Sequence, residues 1–206
     1  TVVFVSWWND EKNEAILLWK MYGDNFKGVK IKLPIEMFKG RNKITVYEKG
    51  GARFRYTDMF DIERNNFPYG MRTTSIFGPN KVAYVSNREV LVSKAVYEEG
   101  NNIYINLYDL GLFKNQYWHI ENEWRYKIIG LMEEGNYPNN EFTKAILDLR
   151  SYPVIPTELF VQLDKSVLKE MKILVGPKCS EENYNKLIRI SEELGCFIEK
   201  SIIRIN

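Results

Sequence analysis

The stretch from Ile120 to Ile128 constrains the fold more than any other. Ile120, Asn122, Trp124, Tyr126 and Ile128 fall on one side of a period-two pattern, and Glu121, Glu123, Arg125 and Lys127 on the other. Such alternation predicts a β-strand with one face against a core. On the charged face, Glu121 and Glu123 stand one strand repeat apart, roughly 6–7 Å. Two acids and an arginine held rigidly at that spacing suit a catalytic site. They equally suit a solvated face with cross-strand ion pairs, which are common and weakly stabilising. The pattern alone leaves both readings open.

The rest of the chain supplies partners for such a strand. Thr1–Trp7 reads as a β-branched and aromatic strand. Asn9 and Asp10 read as helix caps before Glu11–Tyr22, where Ala15, Leu18, Trp19 and Tyr22 recur at helical spacing up to Gly23. Gly28–Leu33, Lys43–Tyr47, Lys81–Val85, Leu159–Gln162 and Ile173–Val175 read as strands. A short helix is expected over Ile35–Lys39, another over Asp164–Glu170, and a helix rather than a strand over Glu89–Tyr97. Ile103–Tyr108 and Phe142–Leu149 fit either state, and Glu133–Asn140 reads as a loop. Ser180 caps a helix over Glu181–Leu194 that Gly195 closes, and Cys196–Ile198 and Ser201–Arg204 follow as strand. Gly50–Asn80 mixes Gly, Pro and Asn with aromatic residues and reads as an irregular, functional segment. Many strands with a few helices define an α+β chain, with mixed or mostly antiparallel sheets, read as a single domain over residues 1–206. Thr1 is no initiator Met, so the full-length protein is expected to carry residues before it.

Composition bears mainly on what to exclude. A net charge of +2 gives no electrostatic case for a nucleic-acid or membrane partner. Two cysteines cannot frame a disulfide scaffold, which points to a cytoplasmic setting. No apolar run approaches the roughly 20 residues of a membrane span. His119 is the single histidine, so no zinc set exists in the sequence. Phosphate-binding and nucleophile-elbow signatures are also missing. Gly176-Pro177 before a helix is better explained as a tight turn than as an anion site.

Three ordered blocks resemble the bacterial domain of unknown function 2971 family, some members of which sit among phage-defence genes. The first is Phe4-Val5-Ser6-Trp7-Trp8, Leu18-Trp19-Lys20-Met21-Tyr22-Gly23 and Gly28-Val29-Lys30-Ile31. The second is Phe113-Lys114, Trp118 and Glu121-x-Glu123-x-Arg125. The third is Ile173-Leu174-Val175-Gly176-Pro177, a helix, and Ser201-x-x-Arg204. The His/Tyr-bearing strand and Asn-Asp-Pro segment usual at the start of that family are not found here.

More distantly, the order of parts is similar to an ADP-ribosyltransferase core. That resemblance implies Glu123 as the catalytic carboxylate with Glu121 as its partner. It implies Ser6, Tyr117, Trp118 and Arg125 as substrate contacts. NAD would be the substrate, with no permanently bound cofactor, and a protein or nucleic acid the acceptor. The chemistry is coherent: a carboxylate beside the ribose stabilises an oxocarbenium-like state, and aromatic rings stack on the bases. No Arg or His that would anchor the dinucleotide is visible. Two alternatives stand beside this one. The chain is a non-catalytic interaction or sensing domain of the same fold, or a nucleic-acid binder using the basic residues of Lys27–Lys43 and the aromatics of Gly50–Asn80.

Overall fold

In a computed structural model, the structure describes residues 2–10, 13–39, 45–47, 53–55, 71–73, 76–86, 96–100, 102–106, 108–132 and 157–205. It is α+β, with antiparallel and mixed sheets and few helices. The chain divides into two compact units, and each is built from two separate segments. One comprises Thr1–Asp10 and Arg41–Val161; the other comprises Glu11–Gly40 and Gln162–Asn206.

The first unit is arranged around β11 (Glu123–Met132). Strand β1 (Val2–Asn9) pairs antiparallel with it from Val2↔Gly130 to Asn9↔Glu123. On the other edge, β5 (Met71–Thr73) and β6 (Phe77–Lys81) pair with successive parts of β11, also antiparallel. The register shifts between Arg125 and Lys127. Gly78 lies at that shift with φ +102°, and a Cβ there would stand 2.4 Å from the Arg125 carbonyl oxygen, so only glycine fits. Strand β7 (Ala83–Val85) pairs in parallel with β10 (Phe113–Asn115). The other described strands of this unit form two antiparallel pairs: β3 (Thr45–Tyr47) with β4 (Arg53–Arg55), and β8 (Val96–Glu99) with β9 (Asn102–Ile105).

The second unit is a three-stranded sheet in the order β13 (Phe197–Lys200), β12 (Lys172–Val175), β2 (Val29–Lys32). Strands β12 and β13 are parallel and joined through helix α2 (Glu181–Leu194), while β2 is antiparallel to β12. Alternate residues of β12 feed two cores. Ile173 and Val175 pack with Met171, Tyr184 and Leu187 on the α2 side. Leu174 packs with Trp19 of helix α1 (Ile16–Tyr22), Phe26, Ile203 and Ile205 on the other. Gly176 lets the chain pass: a Cβ there would lie 2.4 Å from the Phe26 carbonyl oxygen. That close backbone approach is a structural reason for the Gly176-Pro177 turn.

Several elements depart from the sequence reading for identifiable reasons. Helix α1 starts at Ile16, not Glu11, with no side-chain cap. Asn9 belongs to β1, and Asp10 accepts a hydrogen bond from the Asn122 amide instead of capping. Glu14 is fixed by other bonds. Its carboxylate accepts from the Trp19 indole at 2.9 Å, from the Ser201 hydroxyl and from the Ile202 N–H at 2.9 Å. Strands β4, β5 and most of β6 lie inside Gly50–Asn80, where irregular chain was expected; apart from the buried Ile76, the remainder of that segment is outside the described residues. Val96–Glu99 is a strand rather than the end of a helix, and residues 87–95 lie outside the described set, as do Glu133–Asn140 and Phe142–Leu149. Phe38, expected in a helical turn, forms an isolated bridge with Leu163, and Leu159–Gln162 is not the strand that was expected. Ser201–Ile205 runs as irregular chain after β13.

Candidate functional site

The predicted strand is shorter at its start than its alternation suggests. Gln116–Glu121 is a 3-10 helix, capped by the Asn115 side chain, which accepts the Tyr117 N–H at 3.0 Å. Asn122 then adopts a left-handed conformation, φ 42°, and β11 begins at Glu123. Asparagine tolerates this region better than most residues. The reversal matters for the chemistry. Glu121 and Glu123 are not successive residues of one strand face; they approach the same point from a helical turn and a strand.

That point is the Lys114 ammonium. It pairs closely with Glu121 Oε2 and lies 3.3 Å from Glu123 Oε2. Arg125, two residues along the strand, folds back on Glu123 with two bonds, Nε to Oε1 at 2.6 Å and Nη2 to Oε2 at 3.0 Å. A bidentate pair of this kind is among the stronger charge-assisted contacts. Arg125 also donates to the Gly111 carbonyl, and Lys127 to those of Tyr108 and Leu110, the last at 3.1 Å. The two cations thereby hold the 108–111 turn over the strand. Asn106 stiffens the same turn by donating to the Asp109 carboxylate at 2.8 Å and accepting the Tyr108 N–H at 3.1 Å.

The charged row is buried, which corrects the reading of a solvated face. Glu121 is 4%, Glu123 3% and Lys127 1% exposed. Tyr126 and Ile128, facing the other way, are buried as well. Strand β11 is therefore enclosed on both faces, and its polar row survives burial because its charges compensate. Burial pushes the Glu123 carboxyl up, but the Arg125 hydrogen bond and charge, with Lys114, outweigh it and hold it below the usual range. Burial lowers the Lys114 ammonium, yet Glu121 and Glu123 together raise it above its ordinary value. Lys127 goes the other way: burial dominates and depresses it, against the attraction of Asp109. The Tyr84 hydroxyl accepts the Glu123 N–H at 2.8 Å; burial, with the Glu123 charge, raises the phenol.

Of the residues singled out in the sequence, Glu121, Glu123 and Arg125 come together. Trp118 joins them through Lys114, whose ammonium lies 5.1 Å from the indole ring centroid. Tyr117 projects outward and is 81% exposed. His119 bonds through Nδ1 to the Gln116 carbonyl at 2.9 Å, a contact internal to the 3-10 helix. Ser6 does not join the group. It is opposite Tyr126 in the antiparallel register, and directly paired residues project to the same side of a sheet. Ser6 thus lies on the face away from Glu123, where its hydroxyl accepts the Trp8 indole N–H at 2.8 Å. The β1 residues that share the charged face are Val5, Trp7 and Asn9, paired with Lys127, Arg125 and Glu123. Sequence reasoning missed Tyr84, and it named Lys127 only as a member of the charged row and Lys114 only within the Phe113-Lys114 block, without a role in the site. The legible clue was the charge balance of the row itself, two acids followed by two bases at alternate positions.

Among the described residues no three His, Cys, Asp or Glu side chains group as a metal site would require, and no helix is long and apolar enough to cross a membrane. A family model described as a protein of unknown function (DUF2971) matches residues 18–126, a span that holds Tyr84, Lys114, Glu121, Glu123 and Arg125. No curated protein and no solved structure matches the chain.

Proposed function

The chain belongs to the DUF2971 family, and from that premise we propose that its first unit is a non-catalytic recognition domain. In this reading the Lys114–Glu121–Glu123–Arg125 cluster is a rigid platform that presents Trp118 and Tyr117 to a macromolecular partner. One observation carries the proposal: both carboxylates are buried and already engaged by internal cations. A carboxylate that stabilises charge on a substrate has to face that substrate, not a permanent arginine fork. The exposed rings above the platform suit recognition, since aromatic side chains contribute large contact area at low entropic cost.

A second reading is favoured by a different observation. Arg125 and Lys114 hold the Glu123 carboxyl below its usual range, and the same Lys114 ammonium lies 5.1 Å from the Trp118 ring centroid. An NAD-using ADP-ribosyltransferase-like effector, of the kind a phage-defence role would employ, needs an ionised acid beside an aromatic wall. In that case Lys114 must withdraw before Glu123 can meet the ribose.

Nicotinamide release from NAD separates the two. The recognition reading expects none from the wild-type protein, from Glu123→Gln or from Lys114→Met. It also expects Lys114→Met to diminish the near-ultraviolet dichroism of the tryptophans, because the platform under Trp118 is lost. Release by the wild type that disappears in Glu123→Gln overturns this reading in favour of the second.

A further inference from the structure

The second unit carries an arrangement that the first does not explain. Lys32 on β2 and Lys172 on β12 are directly opposite in the antiparallel register. Phe197 on β13 is level with Lys172 in the parallel register. The three side chains therefore form one row across the sheet, on the face that buries Leu174 one repeat further along. At this end the face is open: Lys172 is exposed, Lys32 is half-buried and Phe197 is 65% exposed. Like charges directly opposite in a ladder repel, with Cβ atoms about 5 Å apart. Neither ammonium meets a carboxylate within ion-pair distance among the described residues. The nearest acid of this face by register, Glu199, is a full repeat away, opposite Leu174.

We propose that this row is a contact for single-stranded nucleic acid, with the two ammoniums straddling a backbone phosphate and the Phe197 ring stacking on the neighbouring base. An anion between Lys32 and Lys172 converts their repulsion into shared attraction and releases counterions from the strand. The bare phenyl ring beside the paired cations decides between anions. Stacking on an aromatic face is available to every base and is a recurrent means of holding single strands. The Asp and Glu side chains of an acidic peptide would satisfy the lysines but offer no flat ring to stack on Phe197, whereas every nucleotide carries one beside its phosphate.

The test is fluorescence anisotropy of a labelled oligothymidylate of about 15 nucleotides, titrated with the full chain at low salt. Saturable binding that weakens as salt rises is expected. Lys172→Glu places a carboxylate opposite Lys32, so it should weaken binding by about tenfold or more and flatten the salt dependence. Its thermal midpoint should equal or exceed that of the wild type, because a repulsive pair becomes an attractive one. This distinguishes loss of the contact from loss of the fold. Phe197→Ala should weaken binding about fivefold or more while leaving the salt slope unchanged. Absence of binding at low salt overturns the proposal, as does binding by Lys172→Glu equal to wild type. Displacement of the oligonucleotide by an equal charge of polyglutamate would assign the row to acidic peptides instead.

Discussion

Strands β11 and β12 are each central in their sheets and, beyond the exposed Lys172 at the start of β12, each buried on both faces, yet they are buried by opposite means. Strand β12 offers Ile173, Leu174 and Val175 to two apolar cores, one against α2 and one against Trp19 and Phe26. Strand β11 buries Tyr126, Ile128 and Ile129 together with Glu123 and Lys127. Its polar row is enclosed because Arg125, Lys114 and the carbonyls of the 108–111 turn answer each charge in place. The difference teaches that a charged face in an alternating strand marks exposure only when its charges lack partners. A row that carries both signs, and finds a third cation from another strand, is a core of a different material. That material is sensitive to the loss of any one member, whereas an apolar core relaxes in part.

The comparison is broken most severely at Glu123. Glu123→Ala leaves Arg125 and Lys114 without their shared acceptor, and a loss of about 3–5 kcal/mol is expected, nearer the lower figure because Lys114 keeps some contact with water. Urea denaturation followed by tryptophan fluorescence measures it. A loss under about 1 kcal/mol would mean that the row behaves as a solvated surface. Leu174→Ala is the matching change in the apolar strand and should cost about 2–4 kcal/mol, since Ile203 and Ile205 are only partly buried and can close on the space. Equal sensitivity of the two strands to truncation, together with equal tolerance of an isosteric change, would erase the distinction.

The smallest effect is read from pH. The Glu123 carboxyl titrates below its ordinary value in the folded protein. Its contribution is therefore present above the unfolded carboxylate range and is lost as pH falls through the lower folded value. Lys114, raised in the folded protein, contributes fully below the ordinary lysine range and loses its contribution as pH climbs through its folded value. Lys127 has the reverse sign on the alkaline side, because burial depresses it. Thermal midpoints from about pH 5 downward should fall less steeply in Glu123→Gln than in the wild type. Parallel curves would show that Glu123 adds nothing to the acid limb.

The residues that were legible in the sequence are those whose signals are local. Helix α2 runs from Glu181 to Leu194 between a Ser180 cap and a left-handed Gly195, as its sequence specifies, because caps act within one turn. Strands β1, β2 and β12 were legible for the same reason, from short β-branched runs. The site was legible only in its membership. Glu121, Glu123 and Arg125 were identifiable from spacing, but their convergence on Lys114 depends on the left-handed turn at Asn122 and on β10 lying beside β7. Ser6 was placed by order along the chain, whereas its side of the sheet is decided by register with Tyr126, a long-range property that no local pattern contains. The sheet of the second unit was illegible as a sheet, since β2 finds β12 across most of the chain.

That last pairing has a consequence for synthesis. Residues Glu11–Gly40 leave the ribosome well ahead of Gln162–Asn206, which hold the partners of β2 and Trp19. At about 5–20 residues per second, the early segment waits on the order of ten seconds for its sheet. During that wait Trp19 of α1 and the open edge of β2 lack the residues that later cover them. The second unit is thus completed only after Lys172 and the residues beyond it have been made, and a premature stop anywhere before Lys172 leaves β2 without its partner β12.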